Sequence, residues 1–452
     1  MRSVWKISAA LLLLAAAVTF TVLTVAGRSG NTAEVADESL SEQDYVSINE
    51  FLTNDLSGSA KAAALDSYIE QFMRRWEIKG GSLAVMKDGR LVYSKGYGWA
   101  DEEEGVPMSP GHIMRIASLS KLVTATAVMQ LCERRVLSLD DRVFGKGGIL
   151  DCPRFSDIRD RRAKDITVGQ LLRHEAGFTM HKGDPLFTTR EIIIWEDLDT
   201  VPDMDRVIEY ALGERLGYTP GTGFRYSNLG YLILTKVIEV CSGMDYEEYC
   251  QENILHPAGC YDMHLAHNFY EDRYPNEVRY YETHDAEPVP AFDNSGDTLW
   301  RRYGGSNIEG LRGAGAWVAS PSEFVRFVAS IDGDPSVPDV ISPESVRAMT
   351  ADPEHPYRPV GWVRAGASSD WSRTGTLAGT SALVKKQANG YIWMFVTNTS
   401  SWKGSKFTRY IDRMYRTASS RVESWPSQDL YSAVDIKKGG PEGTPFFRTQ
   451  LL

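Results

Sequence analysis

Leu65, Tyr68, Ile69, Phe72, Met73 and Trp76 recur at three- and four-residue spacing, which predicts an amphipathic helix where order begins near Ala60. The period then changes from about 3.6 to 2. Ser82–Lys87 and Leu91–Tyr97 read as strands, and Asp88-Gly89 between them predicts a tight hairpin. From Ser118 to about Met349 the chain reads as helices with long loops. They comprise the apolar run Val123–Leu131, then Thr167–Arg173, Met204–Leu212, Tyr231–Cys241, Ser320–Ile331 and Ser342–Met349. Strand signals return at Val360–Arg364, Ser368–Thr374, Ser381–Lys386 and Tyr391–Asn398, and Gly404–Ser419 reads as a closing helix. Strands at both ends with helices between them predict an α+β fold. Its single antiparallel sheet is assembled from distant segments, with an all-α lobe inserted.

Outside this body the pattern fades. Arg2 and Lys6 precede Ile7–Ala26, twenty uncharged and mainly apolar residues, so residues 1–27 read as a secretory signal or a retained signal anchor. Either reading puts the body outside the cytoplasm, in the periplasm or at the cell surface. Residues 28–59 are polar, acidic and patternless and predict a flexible linker, leaving 60–420 as the folded domain. Residues 421–452 form an extension whose one strand signal is Tyr431–Ile436. A net charge of −11 argues against a nucleic-acid partner. Asp101-Glu102-Glu103-Glu104 reads as a solvated turn between strands. Of the five cysteines, Cys132, Cys241 and Cys250 sit in apolar helical contexts and read as small buried hydrophobes, with Cys241–Cys250 or Cys250–Cys260 pairing left open.

Candidate chemistry begins at Ser118-Leu119-Ser120-Lys121, just before the apolar run. A serine three residues before a lysine on one helical turn shares its face. A lysine in an apolar pocket loses part of its preference for the charged form and can take the serine proton. Two further motifs follow in order: Tyr226-Ser227-Asn228, then Arg373-Thr374-Gly375-Thr376. Together with Gly81–Tyr93, Ile166–His174 and Gly313-Ala314-Gly315-Ala316-Trp317, this ordered set resembles the serine β-lactamase and penicillin-binding-protein superfamily over roughly Ser59–Arg416. The Y-x-N form resembles the class C branch, which includes D,D-peptidases, D-aminopeptidases and carboxylesterases.

The resemblance implies a β-lactamase/transpeptidase-like fold, with the sheet flanked by the terminal helices and the site at its junction with the helical lobe. It implies Ser118 as nucleophile and Lys121 and Tyr226 as the base pair. Asn228 would bind Lys121 and a substrate amide. The backbone N–H groups of Ser118 and Thr376 would form the oxyanion hole, and Arg373, Thr374 and Gly375 would contact substrate. Where the family carries Lys or His, this chain has Arg373, which cannot shuttle a proton but can hold a carboxylate by two hydrogen bonds. Anchoring a substrate carboxylate is the favoured reading of Arg373; tuning Tyr226 is the other. No metal or cofactor is implied, since His264 and His267 have no carboxylate cluster beside them, and His174 reads as structural. The core is the default place for Trp362, Trp371 and Trp393, with Trp371 also a candidate pocket wall. The expected function is an exported serine hydrolase acting through a Ser118 acyl-enzyme on a small or peptide substrate. D-amino-acid peptides or small esters are favoured over β-lactams. The alternative is a sensor or binding protein of the same fold that acylates without turnover.

Overall fold

The computed structural model describes residues 46–57, 62–179 and 181–432. The helix read from Leu65–Trp76 is α1 (Ala63–Arg75), and β1 (Gly80–Lys87) and β2 (Arg90–Asp101) follow it. Asp88 and Gly89 both have positive φ (48° and 75°), the backbone that a two-residue hairpin matched to strand twist requires. A short β3 (Val106–Pro107) pairs with β2. The late strands are β9 (Trp371–Leu377), β10 (Thr380–Lys386) and β11 (Tyr391–Thr397). The six form one antiparallel sheet in the order β3-β2-β1-β11-β10-β9, so first and last segments meet at its centre and β9 is an edge.

Alternation along each strand builds two layers. Leu83, Val85, Trp393 and Phe395 face α1 and the closing helix α10 (Thr408–Ser419), packing against Leu65, Ile69, Ile411 and Met414. Ala84, Met86, Met394 and Val396 belong to the opposite layer, which holds α2 (Ser120–Glu133). Residues Ser120–Leu131 are all buried, as expected for a helix that is apolar all round. Between α2 and α10 the chain forms α3 (Val168–Leu172), α4 (Thr189–Trp195), α5 (Met204–Leu212), α6 (Asn228–Ser242), α7 (Tyr246–Cys250), α8 (Pro321–Ala329) and α9 (Pro343–Thr350). Small ladders join them: β4 (Met114–Arg115) and β5 (His264–Leu265) flank β8 (Trp317–Ala319), while β6 (Val289–Pro290) pairs with β7 (Thr298–Leu299). The protein therefore has the mixed helix and antiparallel-sheet architecture the pattern predicts.

Several expectations are corrected. Val360–Arg364 forms no strand; Arg364 makes one isolated bridge to Ser372. Residues 430–432 are helical, so the strand read at Tyr431–Ile436 does not form there; positions 433–436 lie outside the described residues. Asp101 is buried, accepting from Tyr270 Oη (2.9 Å) and Arg279 Nη1 (3.2 Å), while Glu103 and Glu104 stay exposed. Residues 46–57 are not a loose tether, because Ile48 and Leu52 are buried in the core. All five cysteines are free thiols, Cys132 and Cys241 half-buried and Cys152 exposed. The stretch Ile7–Ala26 lies outside the described residues, and none of the described helices is long and apolar enough to cross a membrane.

Candidate active site

Ser118 stands in a single 3-10 turn, Ala117–Leu119, that leads directly into α2. Ala117 has φ 52°, an uncommon conformation for a residue with a side chain, and such strain collects at functional sites. Ser120 clamps the turn: its hydroxyl donates to Ala117 O (2.6 Å) and accepts from Trp317 N (3.2 Å). The edge strand β9 closes on the other side, and a Cβ at Gly375 would lie 2.3 Å from Ile116 O. Only glycine allows that approach.

Lys121, in the first turn of α2, is fully buried. Its Nζ lies 3.4 Å from Ser118 Oγ and donates to Asn228 Oδ1 (2.7 Å) and to Ala314 O. The Y-x-N motif works because its middle residue is a helix cap. Ser227 Oγ accepts from Gly230 N (3.0 Å), which starts α6 at Asn228 and sets Tyr226 just outside it. Tyr226 Oη is 2.7 Å from Ser118 Oγ, and its ring is 37% exposed toward the cavity. Arg373 Nη2 donates to Tyr226 Oη (3.1 Å) and Nε to Ser118 O (2.8 Å). Arg373 is 2% exposed, so its guanidinium is set among protein acceptors rather than extended into solvent.

These contacts move the titrations. Burial lowers Lys121 to about 8, partly opposed by the charge of Tyr226. For Tyr226, burial acts upward, but the positive charges of Lys121 and Arg373 outweigh it and bring the phenol down to about 8. His174 is kept neutral by burial and by the same two cations. Its Nδ1 accepts from Ser227 N (3.2 Å), and its ring centroid lies 4.6 Å from that of Tyr226, a structural role beneath the site.

Two further contributors are given no role by the sequence: Asp184, outside every motif, and Ala314, within the run Gly313–Trp317. Asp184 Oδ2 accepts from Asn228 Nδ2 (2.6 Å) and its Oδ1 from Leu186 N (3.1 Å); burial raises its carboxyl. This holds one amide hydrogen of Asn228, which the sequence reading aimed at substrate. Ala314 supplies a backbone acceptor from a segment tied to α6 by Gly313 N to Thr235 Oγ1 (3.2 Å). Ser118, Tyr226, Asn228, Arg373, Thr374, Gly375 and Thr376 all border one open cavity of about 310 Å³. Trp371 does not; it is buried edge-on against Trp362. Among the described residues no group of three or more His, Cys, Asp or Glu could hold a metal ion.

Comparison with known proteins bears on the family and the fold. The chain is 28% identical to Protein flp of Staphylococcus aureus (strain COL) over 52% of its length and 41% of the relative's. It is 25% identical to Penicillin-binding protein 4* of Bacillus subtilis (strain 168), over 59% and 55% respectively. It thus spans about half the length of the curated relatives it matches. In fold it is similar to D-amino acid amidase from Ochrobactrum anthropi SV3, with TM-score 0.62 at 20% identity over 81% of this chain and all of that one. It is also similar to the octameric penicillin-binding protein homologue from Pyrococcus abyssi, with TM-score 0.55 at 24% identity over 83% and 81%. The profile of the Beta-lactamase family matches residues 65–414, a span that contains all three motifs, and the chain belongs to that family.

Proposed function

We propose that the protein is an exported serine hydrolase that cleaves amide or ester bonds through an acyl-enzyme on Ser118. The observation that carries this reading is the contact of Ser118 Oγ with Tyr226 Oη at 2.7 Å, with Lys121 Nζ and Arg373 Nη2 beside the pair. A phenol near 8 is partly phenolate at neutral pH, and a Lys121 ammonium bound to Asn228 Oδ1 and Ala314 O stabilises it. In the proposed reaction Tyr226 accepts the hydroxyl proton while Ser118 Oγ bonds to the carbonyl carbon. The backbone N–H groups of Ser118 and Thr376 hold the resulting oxyanion. The proton passes to the leaving amine or alcohol as its bond to carbon breaks. Tyr226 then takes a proton from the water that releases the acid, and Ser118 regains its own.

Substrates of D-amino-acid peptide or small-ester type are favoured over β-lactams. The fold likeness to a D-amino acid amidase and the replacement of the family's Lys or His by Arg373 support this preference. The apolar stretch Ile7–Ala26 behind two basic residues supports export, as a cleaved signal or a retained membrane tether. A fluorophosphonate label on the purified protein tests the core of the proposal. Wild type should label and turn over p-nitrophenyl esters, and Ser118→Ala should do neither while keeping its melting temperature. Labelling that persists in Ser118→Ala, or labelling of wild type without turnover, would refute it, the second outcome in favour of a sensor.

A further inference from the structure

The backbone turns sharply at Arg312, whose φ and ψ are 42° and −131°. Glycine reaches that conformation freely, and a residue with a side chain holds it only at a cost. The glycine that follows is hemmed in. A Cβ on Gly313 would lie 2.6 Å from Thr124 Oγ1 and from Thr235 Oγ1, and 2.8 Å from Tyr246 Oη. Thr124 Oγ1 of α2 donates to Gly313 O (2.8 Å), and Gly313 N donates to Thr235 Oγ1 of α6 (3.2 Å). Arg312 O closes the turn, accepting from Gly315 N (3.1 Å) and Ala316 N (2.9 Å). The clamped turn carries Ala314 O onto Lys121 Nζ. The side chain of Arg312 points to what the strained position is kept for. Its Nη2 donates to Asp245 Oδ2 (2.9 Å) and Glu239 Oε1 (3.3 Å). Glu239 lies near the end of α6, and Asp245 caps α7. Asn228, whose Oδ1 is the other acceptor on Lys121 Nζ (2.7 Å), is the first residue of α6. Both acceptors on Lys121 are thus referred to one helix, Asn228 directly and Ala314 through ion pairs at its far end.

We infer that Arg312 is a positioning residue: its ion pairs to Glu239 and Asp245 hold a strained turn that keeps Ala314 O on the Lys121 ammonium. What this does for the rate rests on the acyl-enzyme reading above. Arg312 does not border the cavity, whereas Leu311, Ala314 and Gly315 do, so it acts through its backbone and not on substrate. A carbonyl oxygen on Nζ favours the charged form of the lysine, against the burial that disfavours it. If Ala314 O swings away, Lys121 gives up its proton more readily, and Tyr226 loses the ammonium that stabilises its phenolate. The charged and titratable groups facing Lys121 are Tyr226, Arg373, Asp184 and His174, none of which touches Arg312. A change at Arg312 therefore reaches the lysine by way of Ala314.

Arg312→Gly tests this in the full-length protein, because glycine fits the backbone and removes only the side chain. Its melting temperature should stay close to that of wild type, since relief of strain offsets two partly exposed ion pairs. Its kcat on a p-nitrophenyl ester should nevertheless fall about tenfold or more, the scale of one hydrogen bond to a charged group. The falling limb of its pH profile should move to lower pH. A direct readout is the NMR titration of Lys121 in protein carrying lysine labelled with carbon-13 at Cε, which needs no turnover and should move the same way. The double variant Glu239→Gln/Asp245→Asn should shift the titration as well while leaving Arg312 in place, and Arg312→Lys should recover part of it. An unmoved Lys121 titration in Arg312→Gly, or in the double variant should the glycine fail to fold, overturns the inference and leaves Arg312 merely structural. A wild type that does not label with fluorophosphonate, but whose Lys121 titration shifts as expected in the variants, overturns the acyl-enzyme reading and leaves the positioning role standing.

Discussion

At the scale of single residues, burial and the opposite charges of the Tyr226–Lys121 pair dominate its titration, and Arg373 and Asp184 adjust it with charges of opposite sign. Arg373 adds positive charge at Tyr226 Oη, and Asp184 adds negative charge near Lys121. Both groups of the pair stand near 8, so they titrate as a unit, and a rate profile reports the pair rather than either residue. Turnover needs the phenolate, so kcat/KM should rise with pH toward about 8, and it should fall again where the Lys121 ammonium is lost. Arg373→Ala removes a cation that lowers the phenol, so the rising limb should move to higher pH. A shift of one unit costs about tenfold in active base at neutral pH. Arg373→Lys should bring the limb part of the way back. An unmoved limb in Arg373→Ala would show that the guanidinium does not tune the phenol.

Asp184 acts through Asn228 and is a positioning residue. Asp184→Ala should lower kcat about tenfold with little change in KM, because Asn228 loses the partner that fixes its amide. It should also move the falling limb to lower pH, since the carboxylate raises Lys121. Asp184→Asn keeps an acceptor for Asn228 and should recover rate without restoring that limb. A rate loss with an unchanged profile would make Asp184 merely structural.

At the scale of elements, the site is the place where the 3-10 turn before α2, the cap of α6 and the edge strand β9 converge. Gly375 is the joint, since a Cβ there would meet Ile116 O at 2.3 Å and Ala117 Cβ at 3.0 Å, neither on a flexible side chain. Gly375→Ala should therefore displace the nucleophile turn from β9. The expected losses are about 10²-fold in labelling rate, as small misplacements of reacting groups can cost, and roughly 1–3 kcal/mol of stability. Full labelling at wild-type rate would show that this packing does not position Ser118.

The same elements show what a sequence discloses. Hairpin, central helix and late strands were legible because Asp88-Gly89, an uninterrupted apolar run and alternating residues each leave a local signature. Ser118, Lys121, Tyr226 and Asn228 were legible because their spacing follows from the 3-10 turn that leads into α2 and from one helix cap. Asp184 was not. It reaches Asn228 across 44 positions from a loop whose composition marks only a turn. The occupation of Arg373 by Ser118 O and Tyr226 was hidden for the same reason, because hydrogen bonds across 255 and 147 positions leave no periodicity.

At the scale of the whole molecule, segments from outside the predicted domain hold it shut. Leu430 is buried, Tyr431 Oη donates to Ser322 O (2.7 Å), and Asp429 Oδ1 accepts from Leu91 N (3.1 Å). Residues 46–57 do more, because composition predicted a linker and the body uses them as a strap. Ile48 and Leu52 enter the core on the side of α2 and α8. Ser47 Oγ donates to buried Glu323 (2.6 Å), and Asn54 joins Met108 O (2.9 Å) to Gly96 N (2.8 Å). Ile48, Phe51, Leu52 and Leu56 stand at helical spacing, but the run is short and lies at the end of the long polar stretch 28–59, which is why the segment read as patternless. None of its residues borders the catalytic cavity. Ile48→Ala and Leu52→Ala should each cost about 2–5 kcal/mol, the range for emptying a buried aliphatic site. In a domain of this size that lowers the melting temperature by roughly 2–6 °C. The kcat of the protein that remains folded should stay within about twofold of wild type, because Ser118, Lys121 and Tyr226 keep their partners. Thermal melts read together with active-site labelling decide the matter. Unchanged melting temperatures would return residues 46–57 to the role of a loose linker, and a fall in kcat at full folding would tie the strap to the chemistry instead.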